Sequence, residues 1–330
     1  MGLWFSLFAV VILTFVVFMG VEMGKLHFLF GLVVPYAAFA TFIVGVISRV
    51  VGWARSPVPF RITTTCGQQK SLPWIKADNI ESPHNTLGVI ARMALEVLLF
   101  RSLFRNTKVE LKNDPRLVYG GAKWLWLAGL AFHWSFLVIL IRHLRFFTEP
   151  VPRLLGLFAG IDGVFEIGVP VLYISGLIML VSVTYLFLRR VFIPQVRYIS
   201  LAADYFPLFL IIGVGLSGLL MRHFFKVDIF KVKELAMGLV SFHPLIPEGI
   251  GIPFYIHLFL VSVLLAYFPF SKLMHLGGVF LSPTRNLANN NRMKRHVNPW
   301  NYPVKVHTYE EYEDEFRDKM KAAGIPVEKE

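Results

Sequence analysis

Charge is scarce in this sequence. Only 16% of the 330 residues are Asp, Glu, Lys or Arg, whereas 55% are hydrophobic, and the mean hydropathy is +0.60. A soluble domain needs about 25% charged residues to cover its surface, so most of this chain must lie in lipid. The composition therefore argues against a soluble enzyme, a disordered protein and a nucleic-acid-binding domain.

Cysteine is almost absent, because Cys66 is the only one. A single thiol forms no internal disulfide and holds no iron–sulfur cluster. Cys66 is most simply a reduced cytoplasmic thiol. Any redox chemistry must therefore rest on a group other than thiols.

Long apolar runs dominate the rest of the sequence. A helix needs about 20 apolar residues to cross the hydrocarbon core. Six stretches meet this requirement: residues 3–20, about 28–48, 124–141, 167–187, 205–221 and about 252–270. The first lacks a basic n-region and an obvious small-residue cleavage site, so we interpret it as a true span rather than a signal peptide. The sequence thus predicts an all-α integral membrane bundle over residues 1–281, with a cytoplasmic tail over residues 282–330.

The net charge of +12 is distributed unevenly between the two sides of this bundle. An even number of spans places three regions on one side: residues 49–123, residues 188–202 and the chain from residue 271 onward. These regions carry 12, 3 and 10 Lys and Arg residues respectively, which is 25 of the 33 in the chain. The loops of the other side carry 8. Because cytoplasmic loops are enriched in Lys and Arg, we predict a multi-pass protein of the cytoplasmic (inner) membrane with both termini in the cytoplasm.

Two regions outside the spans have patterns of their own. Residues 86–105 (TLGVIARMALEVLLFRSLFR) predict one amphipathic helix in the plane of the membrane interface. Its apolar face suits either a docking partner or simple membrane attachment, and the sequence leaves both open. The tail has a helical patch near residues 309–321 and is too short for a core of its own, so it is either loose or lies on a partner.

Four histidines lie within or at the ends of the third and sixth spans: His133 and His143 in the third, His257 and His275 in the sixth. Ionisable residues are costly in a membrane and usually functional, and imidazole is the usual axial ligand of haem. The spacings of ten and eighteen residues correspond to about 15 and 27 Å along a continuous helix. Because the two spans run antiparallel, we expect His133 to face His275, and His143 to face His257.

Each such pair is able to bind one haem iron from both faces, so the pattern predicts a dihaem cytochrome b with two haems stacked across the bilayer. Six-coordinate iron has no open position, which is typical of electron transfer. The alternative is that the four imidazoles only form hydrogen bonds between packed helices. Apart from His223, the other histidines lie in loops or near span ends and are interpreted as non-ligands: His27, His84, His243, His296 and His307.

The histidine spacing resembles the dihaem cytochrome b (gamma) subunit of respiratory nitrate reductases. The whole chain resembles the membrane cytochrome b subunit of the sulfite-reduction-associated Dsr complex of sulfur-metabolising prokaryotes. This resemblance rests on the histidines, on residues 66–74 (CGQQKSLPW) and on the tail segment NRMKRHVNPWNYPVKVHTYEEYE, and it extends over nearly the full length. One departure is that the nitrate reductase subunit has five spans, whereas this sequence has six, the additional one at the N-terminus.

The resemblance implies that His133 and His275 hold the haem nearer the cytoplasm, and that His143 and His257 hold the outer haem. It also implies oxidation of menaquinol near the outer haem and transfer of electrons to a cytoplasmic iron–sulfur subunit, in a complex linked to sulfite or sulfur metabolism. Further membrane and periplasmic subunits of that complex are expected, together with membrane lipid, and no nucleic acid.

The residues that bind the quinol are only weakly defined by the sequence. A quinone carbonyl needs a hydrogen-bond donor near the outer haem. Arg142, Arg145, His223 and Lys226 lie on that side, and Glu248 is placed to take a proton. The alternative for each of them is an ordinary interfacial charge that anchors its helix.

An intramembrane serine protease is one function of a different class. Ser217 lies in the string GVGLSG of the fifth span, and such proteases pair a serine with a histidine of another helix. Small residues at this spacing are common in helix packing, and a nucleophile needs one histidine base rather than four paired histidines.

A membrane transporter is the second alternative. Pro35 and Pro170 interrupt spans, and transporters often contain interrupted helices. The sequence shows no paired half-helices, and the acidic residues near the spans lie at span ends: Glu22, Asp162 and Glu166. We therefore retain the transporter only as an alternative to the cytochrome.

Overall fold

The computed structural model describes residues 1–58, 67–111, 116–163, 171–294 and 306–329. Within these ranges the chain is almost entirely helical, and the predicted all-α class is confirmed. The helices are α1 (Gly2–Glu22), α2 (Val34–Ala54), α3 (Thr86–Leu99), α4 (Arg101–Arg105), α5 (Lys123–His143), α6 (Arg153–Asp162), α7 (Ile174–Phe192), α8 (Pro194–Ile199), α9 (Ala202–His223), α10 (Ile229–Val240), α11 (Ile252–Tyr267), α12 (His275–Leu281), α13 (Pro283–Asn286) and α14 (Tyr309–Ala322). A small antiparallel hairpin, β1 (Thr107–Leu111) with β2 (Leu117–Gly121), was not predicted.

In the described part of the chain, six helical segments are long and apolar enough to cross a membrane. They are Gly2–Glu22, Leu29–Ala54, Lys123–Phe146, Ile174–Phe192, Ala202–His223 and Ile252–Phe270. Between 17% and 28% of the residues in these segments are buried, because an apolar surface in lipid needs no protein cover. The predicted multi-pass membrane bundle is therefore confirmed.

The fourth span lies later in the chain than predicted. The prediction places it at residues 167–187, whereas α7 begins at Ile174, and residues 164–170 lie outside the described ranges. The start of α7 is capped by Asp162 of α6, whose carboxylate accepts hydrogen bonds from the Ser175 backbone N–H at 2.7 Å and from the Ser175 hydroxyl at 2.6 Å. The free N–H groups of a helix N-terminus need such an acceptor. Here it comes from another helix, which the local pattern does not reveal.

The spanning helices pack in the order α5, α7, α9, α11, each against the next, while α1 packs against α9 and α11, and α2 packs against α11. Buried residues at the centres of these contacts include Val183, Leu210 and Tyr255. Helices in lipid are held together largely by such van der Waals packing. Among the described residues, α5 and α11 do not pack against each other to a comparable extent.

The sixth span is not a single helix as far as His275, so the expected rise of about 27 Å along a continuous helix is wrong. After α11, two 3₁₀ turns, Phe268–Phe270 and Lys272–Met274, lead to α12, whose first residue is His275. Ser271 between the turns has an extended backbone. Pro269 in the first turn supplies no N–H for a continuing α-helix, which accounts for the break at this point.

The single amphipathic helix predicted for residues 86–105 is also wrong in its continuity. Phe100 adopts a left-handed backbone conformation with φ of 50° and separates α3 from α4. The indole N–H groups of Trp126 and Trp134 on α5 donate to the carbonyls of the last two residues of α3, at 2.7 and 3.0 Å. The last carbonyls of a helix need external donors, so packing against α5 ends α3 where the sequence pattern continues.

The first residues of the predicted tail pack against the long loop. Arg92 on α3 is buried and donates to the backbone carbonyls of Arg285 and, at 3.2 Å, Leu287. The backbone N–H of Asn289 donates to the Pro83 carbonyl at 2.7 Å. These contacts join the region just beyond residue 282 to α3.

The helix predicted in the tail is observed as α14. The Thr308 hydroxyl accepts from the Glu311 N–H, and the Glu311 carboxylate accepts from the Thr308 N–H, both at 3.2 Å. This reciprocal pair is a capping box, which a sequence pattern predicts well. The carboxylate of buried Glu313 accepts the N–H groups of Glu328 and Lys329 at 2.8 Å, so the chain after α14 folds back onto the helix.

Candidate functional site

Two pairs of imidazole rings face each other between α5 and the last membrane segment. The inner pair is His133 and His275, with ring centroids 5.9 Å apart and ring planes at 80°. The outer pair is His143 and His257, with ring centroids 6.4 Å apart and ring planes at 18°. The structure therefore brings together the same partners that the antiparallel order of the two spans predicts.

Each of the four imidazoles uses its Nδ1 atom in a hydrogen bond. His133 and His143 each bond the carbonyl four residues earlier in α5, at 2.7 Å. The Nδ1 atom of His275 bonds the Lys272 carbonyl at 2.9 Å. His257 differs, because its Nδ1 atom lies 2.9 Å from the hydroxyl of Ser217 on α9.

These hydrogen bonds determine the tautomer of each ring. A carbonyl oxygen only accepts, so the Nδ1 atoms of His133, His143 and His275 carry the proton. Neutral imidazole then has its lone pair on Nε2, and no described residue forms a hydrogen bond with these Nε2 atoms. A ring held through Nδ1–H with a free Nε2 is the usual arrangement of a metal-binding histidine.

The separation within each pair also fits one iron between two rings. Imidazole nitrogen binds transition metals at about 2 Å, so two rings on opposite sides of one metal have centroids about 6 Å apart. The observed 5.9 and 6.4 Å agree with this value. No group of three or more His, Cys, Asp or Glu able to hold a metal ion occurs among the described residues. Two histidines suit a metal whose other ligands come from a porphyrin.

The space beside the outer pair depends on a glycine. A Cβ atom added to Gly218 on α9 would lie 3.3 Å from Cε1 of His257 and 3.7 Å from its Nδ1. The first distance is tighter than most real contacts of this kind, so a larger side chain would push the ring. Gly218 therefore lets α9 approach His257 closely enough for the neighbouring Ser217 to reach Nδ1.

The contact between Ser217 and His257 bears directly on the serine protease alternative. The Ser217 hydroxyl also lies 3.0 Å from the Val214 carbonyl, to which it donates its single hydrogen. In this arrangement the hydroxyl oxygen accepts from the Nδ1–H of His257, as a ring that presents Nε2 to a metal requires. A nucleophilic serine needs the reverse arrangement, in which the hydroxyl donates to a basic histidine, so the geometry argues against proteolysis.

The proposed interruption of spans by proline is only partly present. Pro35 lies in the first turn of α2, directly after the π-helical turn Leu29–Val33. The chain remains helical from Leu29 to Ala54, through one π-helical turn. Pro170 lies outside the described ranges. The described part of the second span therefore gives no support to a transporter with interrupted helices.

Arg142, the first quinol-site candidate, is held by other residues of the chain. Its guanidinium forms an ion pair with Asp162, lies 3.0 Å from the Ser175 hydroxyl and stacks on the Tyr173 ring, with 3.2 Å between the guanidinium carbon and the ring centroid. The side chains of Arg142 and Asp162 are only 11% and 6% exposed. Arg142 thus connects α5, α6 and α7 next to His143.

Arg145, just after α5, and His223, the last residue of α9, are the other two candidates, and both are half-buried. The guanidinium carbon of Arg145 lies 4.8 Å from the centroid of the Phe146 ring. The sequence did not place Asp162 or Ser175 at this site, and it did not reveal the contact of Ser217 with His257. The opposite charges of Arg142 and Asp162 at outer span ends were the only available signal for the first two.

The described part of the tract at residues 66–74 belongs to the long loop, where the Lys70 ammonium lies 3.4 Å from Nε2 of His84. Cys66 itself is outside the described ranges, as is His296. The Asp78 N–H donates to the Gln68 carbonyl at 2.9 Å. The Asp78 carboxylate accepts from the N–H groups of Glu81 and Ile80, which lowers the pKa of Asp78. The described part of the tract is therefore held by loop hydrogen bonds.

Comparison with known proteins gives a consistent result. The family model described as nitrate reductase gamma subunit matches residues 87–296. The chain is 48% identical over 279 residues to the Hdr-like menaquinol oxidoreductase cytochrome b-like subunit of Archaeoglobus fulgidus, covering 82% of this chain and 83% of the relative. It is 45% identical over 273 residues to the subunit of that name in Archaeoglobus profundus, covering 81% of each. It is 32% identical over 113 residues to the respiratory nitrate reductase 1 gamma chain of Escherichia coli, covering 32% of this chain and 50% of the relative.

Proposed function

We propose that this chain, which belongs to the nitrate reductase gamma subunit family, is the dihaem b membrane subunit of a complex that oxidises menaquinol. The family membership predicted from the sequence is confirmed. The names of the two Archaeoglobus relatives confirm the broader class, an electron-transfer subunit of an oxidoreductase complex. The number of haems, the direction of transfer and the partner are our proposal.

One observation carries the proposal: four imidazoles in two facing pairs, each ring held through Nδ1. His133 and His143 lie ten residues apart on one continuous helix, so the two pairs lie about 15 Å apart along α5. In this proposal His133 and His275 hold the inner haem, and His143 and His257 hold the outer haem. When bound, haem supplies one-electron redox chemistry without an open iron position.

Aromatic and charged residues pack beside both pairs of rings. Phe100 and Phe132 stand edge-on to the ring of His133, at centroid distances of 4.9 and 5.0 Å. The ion pair of Arg142 with Asp162 closes the outer end next to His143. The packing and polarity around a bound redox group control its potential, and these contacts lie beside each pair.

We assign the quinol site to the outer side, near the outer pair. Oxidation of a quinol releases protons, so the site needs a base and a hydrogen-bond donor to the quinol oxygens. His223 is the candidate base and Arg145 the candidate donor, because both are half-buried. Arg142 is already bonded to Asp162 and Ser175, so its proposed role is to shape this end of the site.

Electrons must leave this chain to another subunit, because a single cysteine holds no iron–sulfur cluster. We propose a cytoplasmic iron–sulfur subunit bound to the long loop and the tail, with both chain termini in the cytoplasm, as the excess of Lys and Arg on that side favours. The resemblance to the Dsr subunit supports a complex of the inner membrane that contains further membrane and periplasmic subunits and serves sulfite or sulfur metabolism.

A haem count on the purified protein tests the central proposal. We expect a pyridine haemochrome assay to give two haem b per chain, and a menaquinol analogue to reduce both haems without any partner. One haem per chain, or none, would overturn the dihaem proposal. For the link to sulfur metabolism, we expect the isolated complex to pass electrons from menaquinol to a sulfite-reducing system, and failure of that transfer with both haems intact would reject this link alone.

A further inference from the structure

We propose that Ser217 is a positioning residue for the outer haem, acting through His257. This inference rests on the proposed function, because it assigns a role toward the haem held by His143 and His257. Its hydroxyl accepts the Nδ1–H of His257 and thereby sets the orientation and donor strength of this one ligand. The GVGLSG string of α9 thus has a function other than the nucleophile that its serine suggests.

The hydrogen bond of Ser217 differs in kind from those of the other ligands. His133, His143 and His275 bond backbone carbonyls of their own helix or of the turn just before it. His257 alone bonds a side chain, and that side chain belongs to another helix, forty residues away in sequence. The position of α9 therefore controls the ring of His257, and a single substitution is able to remove the bond.

Two local features hold the serine in this orientation. Its hydroxyl donates to the Val214 carbonyl one turn earlier, which leaves an oxygen lone pair for His257. Gly218, the next residue, has no side chain to separate α9 from the ring. In contrast to the inner pair, the two outer rings are nearly parallel, with an angle of 18° between their planes. The Nδ1 bond restrains rotation of the His257 ring away from this arrangement.

The chemical effect follows from the position of the proton. An acceptor at Nδ1–H makes the imidazole more basic at Nε2, and a more basic ligand stabilises oxidised iron. Without Ser217 the Nδ1–H loses the hydroxyl acceptor and is left with the Val214 backbone carbonyl, which also interacts with this ring. We therefore expect removal of the hydroxyl to raise the midpoint potential of the outer haem and to leave the inner haem unchanged.

Three variants of the full chain test this role: Ser217→Ala, Ser217→Thr and Ser262→Ala. Ser262 is a matched control, because it is a buried serine of α11 whose hydroxyl bonds its own helix at 2.8 Å. The readouts are haem content, a redox titration of each haem and the low-spin electron paramagnetic resonance signal, which reports the angle between axial rings. His143→Ala identifies which signal belongs to the outer haem.

We expect Ser217→Ala to raise the potential and change the resonance signal of the outer haem only, or to lose that haem only. Ser217→Thr, which keeps a hydroxyl, and Ser262→Ala should match the wild type. Unchanged properties in Ser217→Ala, equal changes in both haems, or the same change in Ser262→Ala would overturn the role of Ser217. A wild-type protein without two haems would instead reject the proposed function, and this is measured before any variant.

Discussion

The ring of Phe100 stands edge-on against the imidazole of His133, with centroids 4.9 Å apart and planes at 87°. Phe100 is also the residue whose left-handed backbone separates α3 from α4. The break in the amphipathic segment therefore places an aromatic ring directly on the inner pair. A loop element that the sequence assigns to the membrane surface is in this way connected to the inner histidine pair.

Removal of this ring should weaken the inner haem selectively. Truncation of a fully buried aromatic side chain usually costs several kcal/mol of stability. Phe100 is only half-buried, so we expect Phe100→Ala to lower the barrier to haem loss by about 1.4 kcal/mol. This corresponds to about tenfold faster loss of the inner haem. Transfer of haem to apomyoglobin measures this rate. Phe104→Ala is the control, because Phe104 contacts Trp126 rather than a histidine, and equal haem loss in both variants would contradict the selectivity.

The two pairs predict a specific pattern of haem loss. Both His133→Ala and His275→Ala should reduce the content from two haems to one and leave the same remaining spectrum. His143→Ala and His257→Ala should leave the other spectrum, because each haem needs both of its axial ligands. Low-temperature visible spectra and redox titration distinguish the two remaining haems. Matching spectra for His133→Ala and His257→Ala would show that the pairs are assigned incorrectly.

Arg142 and Arg145 are neighbours in sequence and should behave differently. Removal of one partner of a buried ion pair lowers the free energy of unfolding by about 3–5 kcal/mol. Arg142→Gln leaves Asp162 buried without this partner, so it should lower the thermal unfolding temperature markedly. Arg145→Gln should change stability by less than about 0.5 kcal/mol, as is usual away from buried networks. We expect it instead to raise the KM for a menaquinol analogue about tenfold, in line with loss of one hydrogen bond to the substrate.

The control for this comparison is Arg153→Gln, on an exposed residue of the same side, which should leave both stability and KM unchanged. A stable Arg142→Gln protein would show that the ion pair does not support the outer end. An unchanged KM in Arg145→Gln would remove this residue from the quinol site.

Two truncations of the tail should have different consequences. Deletion of residues 306–330 removes α14 and spares the contacts with α3, so we expect both haems, normal stability and weaker co-purification of the iron–sulfur subunit. Deletion from residue 282 also removes the carbonyls of Arg285 and Leu287 that accept from buried Arg92. Lost acceptors of a buried charged group cost about 3 kcal/mol or more, so this protein should unfold at a lower temperature.

Thermal unfolding and affinity purification from membranes measure the two effects separately. Full partner binding after deletion of residues 306–330 would show that the partner binds the loops alone. Equal stability of the two truncated proteins would contradict the structural role of the contacts around Arg92.

The orientation of the chain is tested by limited proteolysis. If the termini are cytoplasmic, trypsin added outside right-side-out vesicles should leave the bond after Lys294 intact, and the same protease should cut it in inverted vesicles. An antibody against the last residues of the chain detects the cleaved tail. Cleavage at Lys294 from the outside would reverse the proposed orientation and the direction of transfer to the partner.

The sequence by itself determined the membrane class, the number of spans and the residues of the two histidine pairs. Six runs of about 20 apolar residues have few alternatives to spanning helices, because backbone polar groups in lipid must be satisfied within the helix. An antiparallel order of the two spans then places the early histidine of one opposite the late histidine of the other. These are consequences of local composition and of chain direction alone.

The tertiary structure decided the features that depend on contacts between distant residues. Phe100 ends a helix because indoles of α5 reach the last carbonyls of α3, and Asp162 caps α7 from another helix. The same holds for Ser217, whose motif suggests a nucleophile until its neighbours show that it accepts from His257. A hydroxyl can both donate and accept, and only the positions of its partners in space determine which it does.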